Sequence, residues 1–331
     1  SLSKSGNDNN DGKSRTTPVK TLTKAIELAR DTGNIYILDG TYSESNFNIG
    51  YDLVIKGENG ATLTGSGNNL FNITSGTVEF NNIIFSNIKQ TTQNSRIISS
   101  SGKIIFENCK FIGGDCRYYG IDANEVSLTN TVFDNNQYYY YFINAPILSA
   151  ENITVTNNRF YGSSTSYGFL YSDSVDSWNI IDSIFENNTN LRSGVIYIKG
   201  NSLSEANIEN SLFKANSLIY STSTVYTSCI LVGCNLHIDK TAFLDNKNLY
   251  DTSKPKSSVI YVDSQGPIDM VISNSIFANN TYGSRAEGVI YASATISKSI
   301  TADYNWFGNN LNNLSAKPEL NSNIKCNYWY S

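Results

Sequence analysis

The sequence has one methionine, one histidine and five prolines, and only 16% of its residues are charged. Its 24 Lys+Arg against 29 Asp+Glu leave a net charge of −5. The strong positive field that nucleic acid or an anionic membrane surface requires is therefore missing, and neither is an expected partner. No apolar run approaches the roughly 18 residues that a membrane span needs, so no direct membrane insertion is expected. Ser1 opens without a basic stretch followed by an apolar one, which puts any signal or anchor outside these 331 residues. The lone His237 lies three residues after Cys234 with no second close cysteine pair, which excludes the usual zinc spacings. Cys109/Cys116 and Cys229/Cys234 are close enough in sequence to pair, leaving Cys326 over, and structural or free thiols suit this usage better than a metal site. No nucleophile elbow, P-loop or dinucleotide fingerprint appears, so acyl transfer, phosphoryl transfer and nicotinamide chemistry have no starting point.

What is abundant is repetition. A phrase of apolar residue, any residue, Asn or Asp, small residue, any residue, Phe, and often Asn-Asn recurs nine times. It ends on Phe85, Phe111, Phe133, Phe160, Phe185, Phe213, Phe243, Phe277 and, in the variant DYNWFGNN, on Phe307. The steps between these phenylalanines run from 22 to 34 residues, a range that unequal loops accommodate. A second apolar phrase precedes each Phe, centred on Phe71, Ile98, Ile121, Ile143, Leu170, Ile196, Ile230, Ile260 and Ile290. Short apolar strands separated by Gly, Ser and Asn, without helical periodicity, predict a parallel sheet coiled on itself. The Phe and the centre of the second phrase should point inward as stacks. The Asn three residues before each Phe should form a sharp bend and an amide ladder between coils.

The expected fold class is all-β: one right-handed parallel β-helix over 1–331, of about ten coils. Residues 1–33 should cap it, with a helix over 18–31 in which Pro18 opens the first turn and Gly33 stops it. Residues 34–310 form the coils, and 311–331 form a C-terminal cap at a domain boundary, with Trp306, Tyr328 and Trp329 sealing the core.

The opening GNDNNDGKSRTTPVKTLTKAIELA, followed by NIYILDGTY, resembles the start of many extracellular right-handed β-helix proteins, some pectate lyases among them. The N-S-x-F-x-N-N coils, DYNWFGNN and the closing IKCNYWYS resemble the β-helix region of large adhesin-like surface proteins of methanogenic archaea. This resemblance implies a non-catalytic, extracellular, surface-attached domain whose partners are glycans or surface proteins of other cells.

Two other functions compete, a polysaccharide lyase or glycoside hydrolase and a passive spacer. A lyase needs calcium or a basic cluster beside its acids, and the sequence places no basic cluster there. A hydrolase needs opposed carboxylates, and Asp173, Asp176, Asp182, Asp263 and Asp269 converge only if coil register brings them together. The G-H-G element of polygalacturonases is absent, and His237, between Leu236 and Ile238, reads as an outward strand residue. No cofactor is expected. Calcium has only the sparse oxygen set of Asp8 and Asp11, which turn chemistry explains more simply.

Binding has two candidates. Tyr171, Tyr197, Tyr261 and Tyr291 follow the inward residue in successive coils, with Leu231 among them, and strand alternation turns them outward as an exposed stripe. Phe169, Val195, Val259 and Val289 should share that side and make it apolar. The other candidate is Tyr118 and Tyr119 with Tyr138, Tyr139, Tyr140 and Tyr141, extended by Tyr161 and Tyr167. Stacked phenols suit sugar rings or a partner surface, and equally suit burial beneath loops.

Overall fold

Each repeat folds as two bends with a short strand between them. In the copy at 210–216, Asn210 (φ 48°) and Ala215 (φ 54°) take the left-handed conformation that turns the chain twice. Between them Leu212 faces out and Phe213 faces in. Ser211 and Asn216, one after each bend, point into the interior and are buried. Both positions make ladders from coil to coil. Ser183, Ser211 and Thr241 accept the backbone N–H groups of Ile153, Ser183 and Ser211 at 3.1–3.4 Å. At the second bend, the amides of Asn136, Asn158, Asn188, Asn216 and Asn246 each donate to the asparagine oxygen of the next coil at 2.9–3.1 Å. The buried asparagine ladder therefore lies three residues after Phe. The asparagines before Phe bend the chain as expected but form only an exposed, partial ladder, such as Asn152 to Asn130 at 2.7 Å.

The computed structural model describes all residues except 165, 219–225, 250–258, 264–267, 283–288, 293–298, 309–319, 321–323 and 331. It is a right-handed parallel β-helix. Every strand pairs in parallel with its equivalents one coil away, and the coil has four faces. Among the described residues the first face stacks twelve strands, Asn34–Ile37 to Ile324–Lys325, and the second stacks twelve, Gly40–Tyr42 to Trp329–Tyr330. The third is a set of two-residue strands, Ser66–Gly67 to Arg159–Phe160 and Ser217–Leu218 to Thr281–Tyr282. The fourth stacks ten among the described residues, Phe47–Ile49 to Ile290–Ala292.

The interior is a column of aliphatic side chains and stacked rings. Phe185, Phe213, Phe243 and Phe277 follow one another at 4.6, 5.0 and 4.9 Å, stacked with nearly parallel rings. Register corrects one member: Phe133 pairs with Val155 and Val155 with Phe185, so Val155 holds that place in the stack. Phe160 instead lies inward on the third face, 5.3 Å from Tyr138.

The helix is shorter than 18–31. It spans Leu22–Leu28, with Thr21 as N-cap. Val19 is held in a bridge to Leu2, so the chain is still extended just after Pro18. Asp8 fixes the start: its carboxylate accepts Lys20 N–H (2.8 Å), Thr21 N–H (2.9 Å) and the Thr21 hydroxyl (2.7 Å). Glu44 accepts Leu22 N–H at 2.7 Å. Leu22, Ala25 and Ile26 are buried with Leu2 and Val19 over the first coil.

Burial raises the Asp8 pKa, but the hydrogen bonds from Thr21 and Lys20 and the Lys24 charge outweigh it and hold the group below its ordinary value. A lowered folded pKa adds stability above the unfolded value of about 3.9, and this is lost as pH falls through the folded value. Asp8→Ala should thus cost about 1–2 kcal/mol at neutral pH, with the gap to wild type closing in acid. Thermal melts from pH 7 to pH 2.5 check this.

At the far end Ile324 and Cys326 are buried and Trp329 packs partly against the core, whereas Trp306 and Tyr328 are exposed and do not seal it. Most of the expected cap at 311–331 lies outside the described residues. All five cysteines are buried and none is in a disulfide, so the pairings that proximity allowed do not form. Cys109 follows the left-handed bend at Asn108 before the second face, and Cys116 lies inward on the third, so seven residues of chain separate two different faces. Burial pushes the Cys109, Cys229 and Cys234 thiols up to about 12.

Candidate functional site: a tyrosine-lined corner

The expected stripe is in register on the fourth face: Tyr171 pairs with Tyr197, Tyr197 with Leu231, Leu231 with Tyr261 and Tyr261 with Tyr291. It is not an exposed platform. Tyr197 and Tyr261 are each only 7% exposed and form a second hydrophobic cluster with Leu231, flanked by Tyr171, Tyr226 and Tyr291. The rings occupy one another's faces, with centroids 5.3 Å apart for Tyr171 and Tyr197 and 5.6 Å for Tyr261 and Tyr291. Lys199 covers the Tyr197 ring at 5.5 Å and reaches Asp263 at 3.0 Å, two strands away. Gly233, the residue between, lacks the side chain that would block this: a Cβ there would lie 2.3 Å from the Asp263 carbonyl oxygen.

Phe169, Val195, Val259 and Val289 do not share the outer side. All are buried, because the chain turns onto the fourth face there and both residues of each pair, such as Val195 and Ile196, point inward. Tyr197→Ser should therefore destabilise the fold by about 2–4 kcal/mol, as large-to-small changes in a packed cluster do, beyond any change in binding. Urea unfolding measures it.

The second group divides. Tyr138 is 1% exposed, because in the two-residue strand Gln137–Tyr138 the glutamine takes the outer position. Tyr118, Tyr119, Tyr139, Tyr140, Tyr161 and Tyr167 are partly exposed at the corner between the third and fourth faces. Tyr119 stacks on Tyr140 at 4.8 Å, Tyr140 meets Tyr139 at 4.9 Å and Tyr167 at 5.3 Å, and Tyr167 meets Tyr171 at 5.2 Å. The two sequence groups are thus one continuous tyrosine surface. At its edge the Arg96 guanidinium lies 4.4 Å over Tyr119 and pairs with Asp122 at 2.5 Å. Asp122 also accepts the Tyr141 hydroxyl at 2.6 Å and the Asn144 amide at 2.9 Å. Burial, then Asp122, push the Tyr141 phenol well up.

The concave part of this surface is a cleft of ≈ 410 Å³ walled by Tyr118, Tyr139, Tyr140 and Tyr161, with Asp115, Arg117 and Gln137 among them. The register explains its floor. Asp115 pairs with Gln137 and Gln137 with Arg159 in successive coils, and two residues further on the same coils present Arg117, Tyr139 and Tyr161. The Tyr161 hydroxyl donates to Asp115 at 2.7 Å. Burial, then Asp115, hold that phenol protonated far above its usual range. Asp115, Arg117 and Gln137 were not singled out by sequence. Their strands are two residues long, too short for alternation to register, and only the Gly-Gly or Asn-Asn before them marks the corner.

The acids considered for hydrolysis do not converge. Asp173 and Asp263 flank the fourth face, Asp182 (φ 52°) is the bend before the second face, and Asp269 starts a first-face strand. Asp176 follows the fourth face in the Tyr171 coil. His237 faces out from the first face. Asp11 accepts Lys13 N–H at 3.0 Å and the Thr17 hydroxyl at 2.8 Å, so the opening loop is built as hydrogen-bonded turns around its two aspartates. Among the described residues no group of three or more metal-ligating side chains occurs, and no helix is long and apolar enough to cross a membrane.

A family model described as a protein of unknown function, DUF1565, matches residues 4–313. The chain belongs to the DUF1565 family. No curated protein matches this DUF1565 member. Among solved structures it is similar to the catalytic domain of a GH87 α-1,3-glucanase in complex with tetrasaccharides, at 14% identity and a TM-score of 0.45. The match covers 92% of this chain and 66% of the other, just under two thirds of that chain's length. The likeness is one of fold. That similar chain is itself a catalytic domain, which runs against the expectation of a non-catalytic domain here.

Proposed function

We propose that this chain engages polysaccharide at the corner of the third and fourth faces, as an extracellular domain attaching to glycans of other cells or surfaces. The observation that carries the reading is the cleft itself, where ring surfaces of Tyr118, Tyr139 and Tyr140 stand beside Asp115, Arg117 and Gln137. A sugar presents an apolar ring face edged by hydroxyls. Phenols offer a matching flat surface, and the carboxylate, guanidinium and amide offer hydroxyl partners. The resemblance of the coils to adhesin-like surface proteins supports the same reading, as does a net charge unsuited to nucleic acid.

A second reading, cleavage of the bound glycan, is favoured by the position of Asp115 inside this cleft, where it supplies one of the two carboxyl groups that glycoside hydrolysis uses. One experiment addresses both readings: titration of the protein against a panel of soluble polysaccharides, with release of reducing ends followed in parallel. Saturable binding is the expected result. Product formation that disappears in Asp115→Asn would establish the second reading, and absence of both binding and product would sink the two together.

A further inference from the structure

Resting on the glycan reading above, we infer that the cleft selects a sugar carrying a carboxylate, such as a hexuronic acid, over a neutral one. The basis is an imbalance of charge that sequence order conceals. Lys89, Arg117 and Arg159 are far apart in the chain, but coil stacking gathers them. Lys89 pairs with Asp115, Asp115 with Gln137 and Gln137 with Arg159, and Arg117 stands beside this column in the cleft wall. Lys89, Gln137 and Arg159 are all exposed at the outer positions of their strands. With about 4.8 Å between neighbouring coils, the column from Lys89 to Arg159 spans roughly the length of a disaccharide to trisaccharide.

None of the ion pairs found among the described residues involves Lys89, Arg117 or Arg159. The neighbouring fourth face is different, because there Arg96 is paired with Asp122 and Lys199 with Asp263. The cleft wall sets Arg117 against Asp115, which already accepts the Tyr161 hydroxyl, and the exposed Lys89 and Arg159 on the strands stacked to either side add two further cations beside it. A planar guanidinium with no ion-pair partner among the described residues matches a carboxylate in two parallel hydrogen bonds, which a neutral hydroxymethyl group cannot reproduce. Tyr139 and Tyr140 beside Arg117 provide the surface on which the same sugar's ring rests.

The test uses a hexuronic-acid oligosaccharide and the same oligosaccharide after reduction of its carboxyl groups to hydroxymethyl groups, each titrated into the full chain. The acidic form should bind at least tenfold more tightly, and that advantage should shrink with added sodium chloride and in both Arg117→Gln and Arg159→Gln. Equal affinity for the two oligosaccharides, or an advantage untouched by both substitutions, would overturn the charge assignment while leaving glycan binding in place. Binding of neither would overturn the glycan reading with it.

Discussion

Phe213→Ala should lower stability by about 3–5 kcal/mol, the range for deleting a fully buried aromatic ring. Phe213 is wholly buried and lies 4.6 Å from Phe185 on one side and 5.0 Å from Phe243 on the other. Both neighbours are fixed by strands that pair residue for residue with its own, so the coil cannot collapse onto the gap without breaking register. Phe213→Leu should recover much of the loss. If Phe213→Ala unfolds within about 1 kcal/mol of wild type, the phenylalanine column is not a principal source of stability.

Asn216→Ala should be comparably damaging, although it removes a polar side chain. The Asn216 oxygen accepts Asn188 N–H at 3.2 Å and the Asn188 amide at 2.9 Å. Its own amide donates to the Phe185 carbonyl at 2.9 Å and to Asn246 at 3.1 Å. Removing it strands several of these groups where water does not reach, and each unsatisfied group costs about 1–3 kcal/mol. A total of about 3–5 kcal/mol follows after partial relaxation. Asn210→Ala, at the exposed bend of the same coil, should cost about 1 kcal/mol or less. Melting temperatures decide it: Asn216→Ala must fall well below Asn210→Ala, and the reverse order would reject the buried ladder. Comparing midpoints avoids assuming that a long solenoid unfolds in two states.

The fold was largely readable because one physical requirement repeats. Every coil must turn with a residue that tolerates left-handed geometry, place a large side chain inward and turn again, so Asn, Phe and Asn recur at fixed offsets. Reading failed where local pattern and register disagree. VTNNRF looks like every other copy, yet its asparagines serve the second bend, and Phe160 therefore falls on the third face. The better guide was Val155 followed by Asn157 and Asn158, which matches Phe185 followed by Asn187 and Asn188.

The site was half legible for a related reason. Tyrosine density marked the correct coils, but alternation says which side of a strand a residue takes and not what covers it. Tyr197 and Tyr261 point outward and are still buried by their own neighbours. The cleft residues Asp115, Arg117 and Gln137 are polar, isolated in sequence and assembled only by stacking. No feature of a single coil announces them.

The most direct test of the central claim is calorimetric titration of a binding polysaccharide into the wild-type chain and into Tyr139→Ser/Tyr140→Ser, with thermal melts of both. Tyr139 and Tyr140 are partly exposed in the cleft wall, so the melts should nearly coincide. The predicted result is at least a tenfold loss of affinity with the melting temperature nearly unchanged. Undiminished affinity in the double variant would contradict the account and move recognition off this corner.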